Sequence, residues 1–454
     1  MSLKVVILAA GQGTRMRSQL PKVLHQLAGK PLLQWVLDTA ARIHPVETLV
    51  VCGYGSEQVQ QAFAHLDVTW IEQIEQLGTG HALQRVLSQL RDHDRILVLL
   101  GDTPLITDNT LMQLIDNTTA NQVGIVTANV DDPSGLGRIL RDHNHNVISI
   151  IEAKDADANQ QAITEINTGI MLLPVRPLKK WLQQLQPHNV QGEYYLTDVI
   201  ALAVVDGVAI KTVQPLFKEE VIGVNDRQQL ARLERLYQAL MAKELMLDGV
   251  TLHDPARFDV RGELDVGEDV TFDVNVIIAG KVTIGGSSAI GANVMLKNVT
   301  IGKNVTILPN CVIEGSVIGD DCTIGPFARL RPGTRLANEV KVGNFVETKQ
   351  ATLGESSKLP HLSYIGDAEV GKRVNIGAGV ITCNYDGVEK HKTNIGDNVF
   401  IGSDSQLIAP VAIGKGAYIG AGSSISKDAP AGKLTVARGR QKTVGHWAPK
   451  QRKK

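Results

Sequence analysis

Ile395, Ile401, Leu407, Ile413, Ile419 and Ile425 return at strict intervals of six residues, and this spacing decides the fold of the C-terminal half. Working outward, the register begins at Val266 and runs through Phe272, Ile278, Ile284, Ile290 and Leu296. After a five-residue step it resumes at Ile301, Ile307 and Ile313, and after another at Ile318, Ile324, Leu330, Leu336 and Val342. Thr348 takes the next slot; Leu353, Leu359, Ile365, Val370 and Ile376 follow with two more five-residue steps, before an insertion near 383–394. Such a period suits neither an amphipathic helix nor a hairpin sheet; it is the signature of a parallel β-helix. Three hexapeptides make one coil of a triangular prism, and each coil buries its apolar face only against its neighbours. Glycine often follows the aliphatic residue, as in Ile284-Gly285, Ile324-Gly325, Ile376-Gly377 and Ile413-Gly414, and is expected there to turn the corner.

The totals bound the rest. A chain of 454 residues has room for about three domains. With Lys+Arg 46 against Asp+Glu 47, no whole-molecule attraction to nucleic acid or an anionic membrane is expected, so an anionic substrate must meet a local basic cluster. The one basic run, Lys450-Gln451-Arg452-Lys453-Lys454, reads as a solvated terminus. Cys52, Cys311, Cys322 and Cys383 lack Cys-x-x-Cys spacing, which favours neither zinc nor a disulfide framework and points to a reducing compartment. The chain enters a strand-like run at Val5 without a leader pattern, and no apolar run reaches spanning length. A cytoplasmic protein without stable membrane insertion is expected.

Residues 1–225 alternate short apolar runs with helical patterns, the sign of a mostly parallel α/β sheet. Strands are expected at 5–8, 48–52, 96–100, 123–127, 170–173 and 209–213, and helices at 32–43 and 80–90. Ligands bind such sheets at the carboxyl ends of strands. The first such loop is Leu8-Ala9-Ala10-Gly11-Gln12-Gly13-Thr14-Arg15-Met16, followed by Pro21-Lys22. Small residues let backbone N–H groups approach phosphates, and Arg15 and Lys22 add positive charge. The third glycine of a dinucleotide fingerprint is absent, as is the Gly-Lys-Ser/Thr of a Walker A loop. A bare Gly-x-Gly is more often a tight turn; the whole string with Pro21-Lys22 is what raises it.

That string resembles the sugar-1-phosphate nucleotidyltransferases. Further landmarks agree with them: Glu75-Gln76-Leu77-Gly78-Thr79-Gly80-His81-Ala82, Gly101-Asp102-Thr103-Pro104-Leu105, Gly135-Leu136-Gly137-Arg138-Ile139, Glu165-Ile166-Asn167-Thr168-Gly169, Gln191-Gly192-Glu193-Tyr194-Tyr195-Leu196-Thr197-Asp198 and Gly223-Val224-Asn225-Asp226. Joined to a hexapeptide prism, the likeness is to the bacterial bifunctional N-acetylglucosamine-1-phosphate uridyltransferase/glucosamine-1-phosphate acetyltransferase family, over nearly the full length. It implies a Rossmann-like nucleotidyltransferase domain (1–225), a linker helix (226–249) and a left-handed parallel β-helix (250–454), assembled as a homotrimer.

The implied chemistry starts with acetyl transfer from acetyl-CoA to glucosamine-1-phosphate on the prism. Uridylyl transfer from UTP to N-acetylglucosamine-1-phosphate follows on the N-terminal domain, with loss of pyrophosphate, and the product feeds envelope polysaccharides. In the second reaction two anions must meet, so the work is charge neutralisation and alignment, which suits Mg2+ with oxygen ligands. Asp102 at the end of strand 96–100 is the natural carboxylate, although Gly-Asp is also ordinary turn chemistry. The resemblance implies Asn225 as second ligand, and Leu8, Ala9, Ala10, Gly11, Gly13, Arg15, Lys22 and Gly101 about the nucleotide. It further implies Gln73, Gly78 and Thr79 at the uracil edge, and Gly137, Glu152 and Asn167 on the acetylated sugar. Leu100 departs from the family, where Tyr often precedes the Gly-Asp; an aromatic contact is lost there.

On the prism, chemistry-bearing residues gather where the period falters. The implied general base is His361, taking the proton of the attacking amine. Arg331, Glu347, Lys349, Tyr364, Asn375 and Lys390 are implied at the sugar phosphate, and Ala378, Asn384, Tyr385, Ser403, Ala421 and Arg438 at acetyl-CoA. The insertion at 384–392 is expected to reach a neighbouring subunit. Two other readings of the prism stay open from residues alone: an oligomerising scaffold, and a binding module for a protein or glycan. Neither gives a reason to gather His361 with Arg331, Lys349, Tyr364 and Asn375.

Overall fold

A computed structural model describes residues 2–445; the basic run at 450–454 lies outside the described residues. The chain divides into two compact units between Tyr237 and Gln238. That division falls inside the helix Arg227–Leu247, the segment read from the sequence as a linker.

The first unit is built on a central sheet whose strands run, edge to edge, Ile210–Val213, Val123–Asn129, Glu165–Pro174, Arg95–Leu100, Leu3–Ala9, Glu47–Cys52 and Thr69–Glu72. Glu165–Pro174 is antiparallel to both neighbours and the others are parallel. The edge strand Thr69–Glu72 was not foreseen, because its half-exposed residues carry no apolar run. The pair Arg138–Arg141 and Val147–Ile151, hung on the sheet through Ile166, was missed as well. From Leu3–Ala9 the chain moves outward to one side through Glu47–Cys52, then returns to the other side at Arg95–Leu100. This reversal opens a crevice at the carboxyl ends of the two central strands.

The helix Arg227–Leu247 starts where the Asp226 side chain accepts the Gln229 N–H at 2.8 Å, as an N-cap does. Within the first unit Leu233 is buried with Met16, Leu27, Leu32 and Val224. Within the second, Leu245 joins the prism core. Leu240 is exposed.

The second unit is the hexapeptide-repeat, left-handed parallel β-helix. Its strands stack into long parallel ladders in which residues about one coil apart are partners, such as Phe272 with Ile290, Ile290 with Ile307 and Ile307 with Ile324. The slots from Phe272 to Ile425 named above are all buried, including Thr348, whose hydroxyl meets Thr334 at 3.0 Å. Thr382, just before the insertion, occupies the next inward slot; its hydroxyl accepts from Gly366 N at 2.7 Å and donates to Gly366 O at 3.0 Å.

The corner assignment is corrected. The left-handed backbone lies three residues before most of the aliphatic slots, at Asn293, Asn304, Asn310, Asp321 and Asn398 among others; of the four glycines quoted after a slot, only Gly325 adopts it. Asparagine tolerates that conformation and its amides can ladder: Asn275 donates to Asn293 at 2.9 Å, and Asn293 to Asn310 at 3.1 Å. The glycine after the aliphatic residue answers to a different demand. A Cβ on Gly285 would stand 2.6 Å from the backbone of Gly302 in the next coil. Since the opposing atoms are backbone, Gly285→Ala is expected to destabilise the prism by about 3 kcal/mol, the upper end for overpacking. Denaturant unfolding that leaves the prism transition unmoved would refute close coil stacking as the reason for the glycine.

Candidate active sites

In the first unit the crevice is a cavity of about 630 Å³ lined by the loop Leu8 to Thr14, Lys22, Gln73, Gln76, Gly78, Thr79, Leu100, Asp102 and Glu193. The Lys22 ammonium is ion-paired with Asp102 and lies 3.2 Å from Asn225 Oδ1. Asp102 is tied in turn to the segment carrying Asn225, since its carbonyl accepts the Val224 N–H at 2.9 Å. Three residues far apart in sequence thus meet around one cationic group. Gln73 is buried, and its amide donates to Gly78 O at 3.1 Å and lies 3.0 Å from His81 Nδ1. Gly78, at φ 107, would clash with the Tyr194 backbone if it bore a Cβ, so the turn needs glycine.

Two expected residues stand back from this cavity. Arg15 is exposed on the short 3-10 turn Thr14–Met16, and Gly101 packs behind Ala9. Gly137, Glu152 and Asn167 form a neighbouring group instead: Asn167 N donates to Gly137 O at 2.8 Å. Glu152 Oε1 accepts from Thr197 Oγ1 at 3.0 Å. Burial, then the charges of Asp198, Asp155 and Glu193, raise the Glu152 pKa above the ordinary carboxylate value. Burial, then the charges of Asp155, Glu152 and Glu193, push the Tyr195 phenol up to about 12. Gln12, Gln76, Glu193 and Thr197 were quoted within motifs without a role. No local pattern distinguishes an amide or hydroxyl that faces a cavity.

On the prism His361 is exposed, and its Nδ1 lies 2.9 Å from Asn344 Oδ1 in the preceding coil. With Nδ1–H donating to that oxygen, Nε2 keeps its lone pair. Ala378, Ser403 and Ala421 follow His361 in one file, each two residues past a buried slot. The file is stitched by Asp404 N to Ala378 O at 2.7 Å and Gly422 N to Ser403 O at 2.8 Å, and ends where Arg438 donates to Ala421 O at 2.8 Å. Gly377 and Gly379 donate to Ile401 and Leu362 carbonyls, whereas no backbone acceptor takes the Ala378 N–H among the described residues.

Around the corner from His361 stand the cations. Arg331 pairs with Glu347 at 2.9 Å, and Lys349 lies 3.9 Å from Asp367, which also accepts from Asn384. Lys390 first, then burial and Arg331, hold the Lys349 pKa below the usual lysine value. The insertion is a tight loop: Tyr385 bridges Lys390, and Asp386 accepts from Val388 N at 2.8 Å and Glu389 N at 2.7 Å and pairs with His391 at 2.7 Å. It thereby returns Lys390 over Lys349. Tyr364 follows His361 across the corner, with its ring over Gly366. Asn375 belongs to the other sheet, in a recess of about 610 Å³ with Lys358 and Arg373, so one chain does not bring it to Arg331 and Lys349. Asn344 and Asp367 are neighbours of His361 and Lys349 to which the sequence assigned no role.

Known proteins match both units of the chain. The MobA-like NTP transferase domain matches residues 5–191, the GMPPB C-terminal domain residues 260–353, and the bacterial transferase hexapeptide (six repeats) residues 392–427. The bifunctional protein GlmU of Cellvibrio japonicus is 54% identical over 451 residues, covering 99% of this chain and 100% of that protein. That of Idiomarina loihiensis is 51% identical over 454 residues, covering 100% of both. That of Thiobacillus denitrificans is 53% identical over 445 residues, covering 98% of this chain and 97% of that protein. Identity of this order along the whole of both chains leaves one conclusion: the chain belongs to the bifunctional GlmU family, enzymes that carry out uridylyl transfer and acetyl transfer in the synthesis of UDP-N-acetylglucosamine.

Proposed function

We propose that the two sites act in sequence, the prism acetylating glucosamine-1-phosphate and the α/β unit joining the product to UTP. The observation that carries the prism half is His361, fixed by Asn344 at the head of the Ala378–Ser403–Ala421 file. His361 Nε2 takes the amine proton as nitrogen attacks the thioester carbonyl of acetyl-CoA. The N–C bond forms, the C–S bond breaks and the coenzyme leaves as its thiol. Ala378 N–H receives the developing oxyanion. Ser403, Ala421, Asn384, Tyr385 and Arg438 hold the coenzyme, while Arg331, Lys349 and Lys390, with Glu347, Tyr364 and Asn375, hold the sugar phosphate.

In the α/β unit the loop from Leu8 to Gly13 and Lys22 receive the triphosphate, with Gly101 supporting the loop behind Ala9 and Arg15 adding charge from the exposed turn at the cavity's edge. Gln73, Gly78 and Thr79 read the uracil; Gly137, Glu152 and Asn167 hold the N-acetyl sugar. Asp102 and Asn225 already turn oxygens to one cation, the Lys22 ammonium, which supports the fit of magnesium to the pair. When bound, the ion supplies Lewis-acid neutralisation of phosphate oxygens. Lys22 adds charge to the same phosphates, so the attacking phosphate oxygen of the sugar meets less repulsion at the α-phosphate.

The assembly we propose is a homotrimer in the cytoplasm, where nucleoside triphosphates and acyl-CoA are made. Among the described residues no helix is long and apolar enough to cross a membrane. Phe327, Phe345 and Leu362 stand exposed along the corner beside His361, each in a left-handed backbone conformation that bulky residues rarely adopt. A neighbouring prism covering that corner also accounts for an acetyl site split between two faces of one chain.

Asp102→Ala is expected to cut uridylyl transfer by at least about a hundredfold and to leave acetyl transfer intact. His361→Ala is expected to do the reverse. Pyrophosphate and thiol release from the full-length chain read the two; a variant that loses both activities, or neither, defeats the assignment. Lys349→Ala should raise KM for glucosamine-1-phosphate about tenfold without altering KM for acetyl-CoA; equal rises in both would speak against a phosphate site. Phe345→Asp should convert trimers to smaller species in sedimentation, and an unchanged mass would exclude that corner from the interface.

A further inference from the structure

We propose that Thr197 is a positioning residue for sugar recognition, holding Glu152 in the orientation that receives the acetylated sugar. The inference rests on the reading of Glu152 as a sugar contact. Thr197 is 6% exposed, and its Oγ1 donates to Glu152 Oε1 at 3.0 Å. It stands at the start of the helix Asp198–Val205, where a threonine hydroxyl ordinarily accepts a backbone N–H. Here it makes no such bond, and its backbone is already helical, at φ −59 and ψ −26. The hydroxyl is turned from the helix to the carboxylate, a local rule broken where a site is served.

The adjoining residues link the same segment to the nucleotide pocket. Leu196 N donates to Thr79 Oγ1 at 3.0 Å, and Gly80 N to Tyr194 O at 2.8 Å. A Cβ on Gly137 would lie 3.4 Å from Glu152 Oε2 and 3.5 Å from Oε1, so glycine there keeps side-chain bulk off the carboxylate. The groups facing Glu152 are Asp155, Glu193 and Asp198, all acids, with the Tyr195 phenol beside them. Burial and these charges favour the protonated carboxyl, and the Thr197 hydrogen bond opposes them. Without it the acid is both unheld and more easily protonated.

Thr197→Val keeps the shape and removes the donor. In the full-length enzyme KM for N-acetylglucosamine-1-phosphate should rise about tenfold, with kcat and KM for UTP nearly unchanged. The ionised carboxylate is the binding form, so KM climbs as pH falls through its pKa; in the variant that climb should begin at higher pH. Thr197→Ser should restore both the KM and the pH profile. An unchanged KM, a parallel loss of kcat and UTP affinity, or no rescue by serine overturns the proposal. Glu152→Ala separates the two levels: an unchanged KM there sinks the reading of Glu152 itself. A raised KM in Glu152→Ala with a normal Thr197→Val sinks only the role of Thr197. Acetyl transfer by the same chains and their thermal unfolding report folding, and Thr197→Ala carries the same reading if the valine chain does not accumulate folded.

Discussion

Backbone lies on backbone in the prism, closely enough that a single methyl group on Gly285 would collide with the coil above. That spacing brings residues about seventeen or eighteen apart in sequence together as vertical neighbours, as in the Asn275–Asn293–Asn310 ladder. Slots of equal phase therefore form files, and a file needs no loop to position it. His361 after Asn344, and Ala378 before Ser403 and Ala421, are neighbours because they share a phase. Stacking that supplies the hydrophobic core thus also aligns the surface chemistry.

The α/β unit solves its problem by topology. A sheet whose strand order reverses leaves a crevice that no helix fills, and the loops after Ala9 and Leu100 both open into it. Lys22, Asp102 and Asn225 are then drawn together from three separate parts of the chain.

Charge separates the three pockets within a molecule whose formal net charge is −1. Lys22 is held between oxygens, a cation already balanced by acceptors. Lys349 is crowded by Lys390 and Arg331, so its charged form is disfavoured until an anion arrives. Glu152 sits among acids, an arrangement hostile to a further anion but suited to the hydroxyl donors of a neutral sugar ring. The placement of each pocket follows the charge of the group proposed to enter it.

Much of this was legible in the sequence. The aliphatic register from Phe272 to Ile425 read out the prism because burial of a repeated slot is a local, periodic demand. The glycine-rich loop and the Gly101-Asp102 turn were visible because backbone conformation constrains residue type locally. The reason for the glycines was misread, since a contact between coils leaves no mark within one hexapeptide. Thr382 was overlooked as an inward slot because its hydroxyl is satisfied only by Gly366 one coil away. Tertiary structure alone decided that Asn344 orients His361, that Lys390 returns over Lys349, and that Thr197 leaves its helix for Glu152. Each of these is a pairing of polar groups across distant segments. Such pairing depends on where the backbone carries the partners, which no spacing along the chain records.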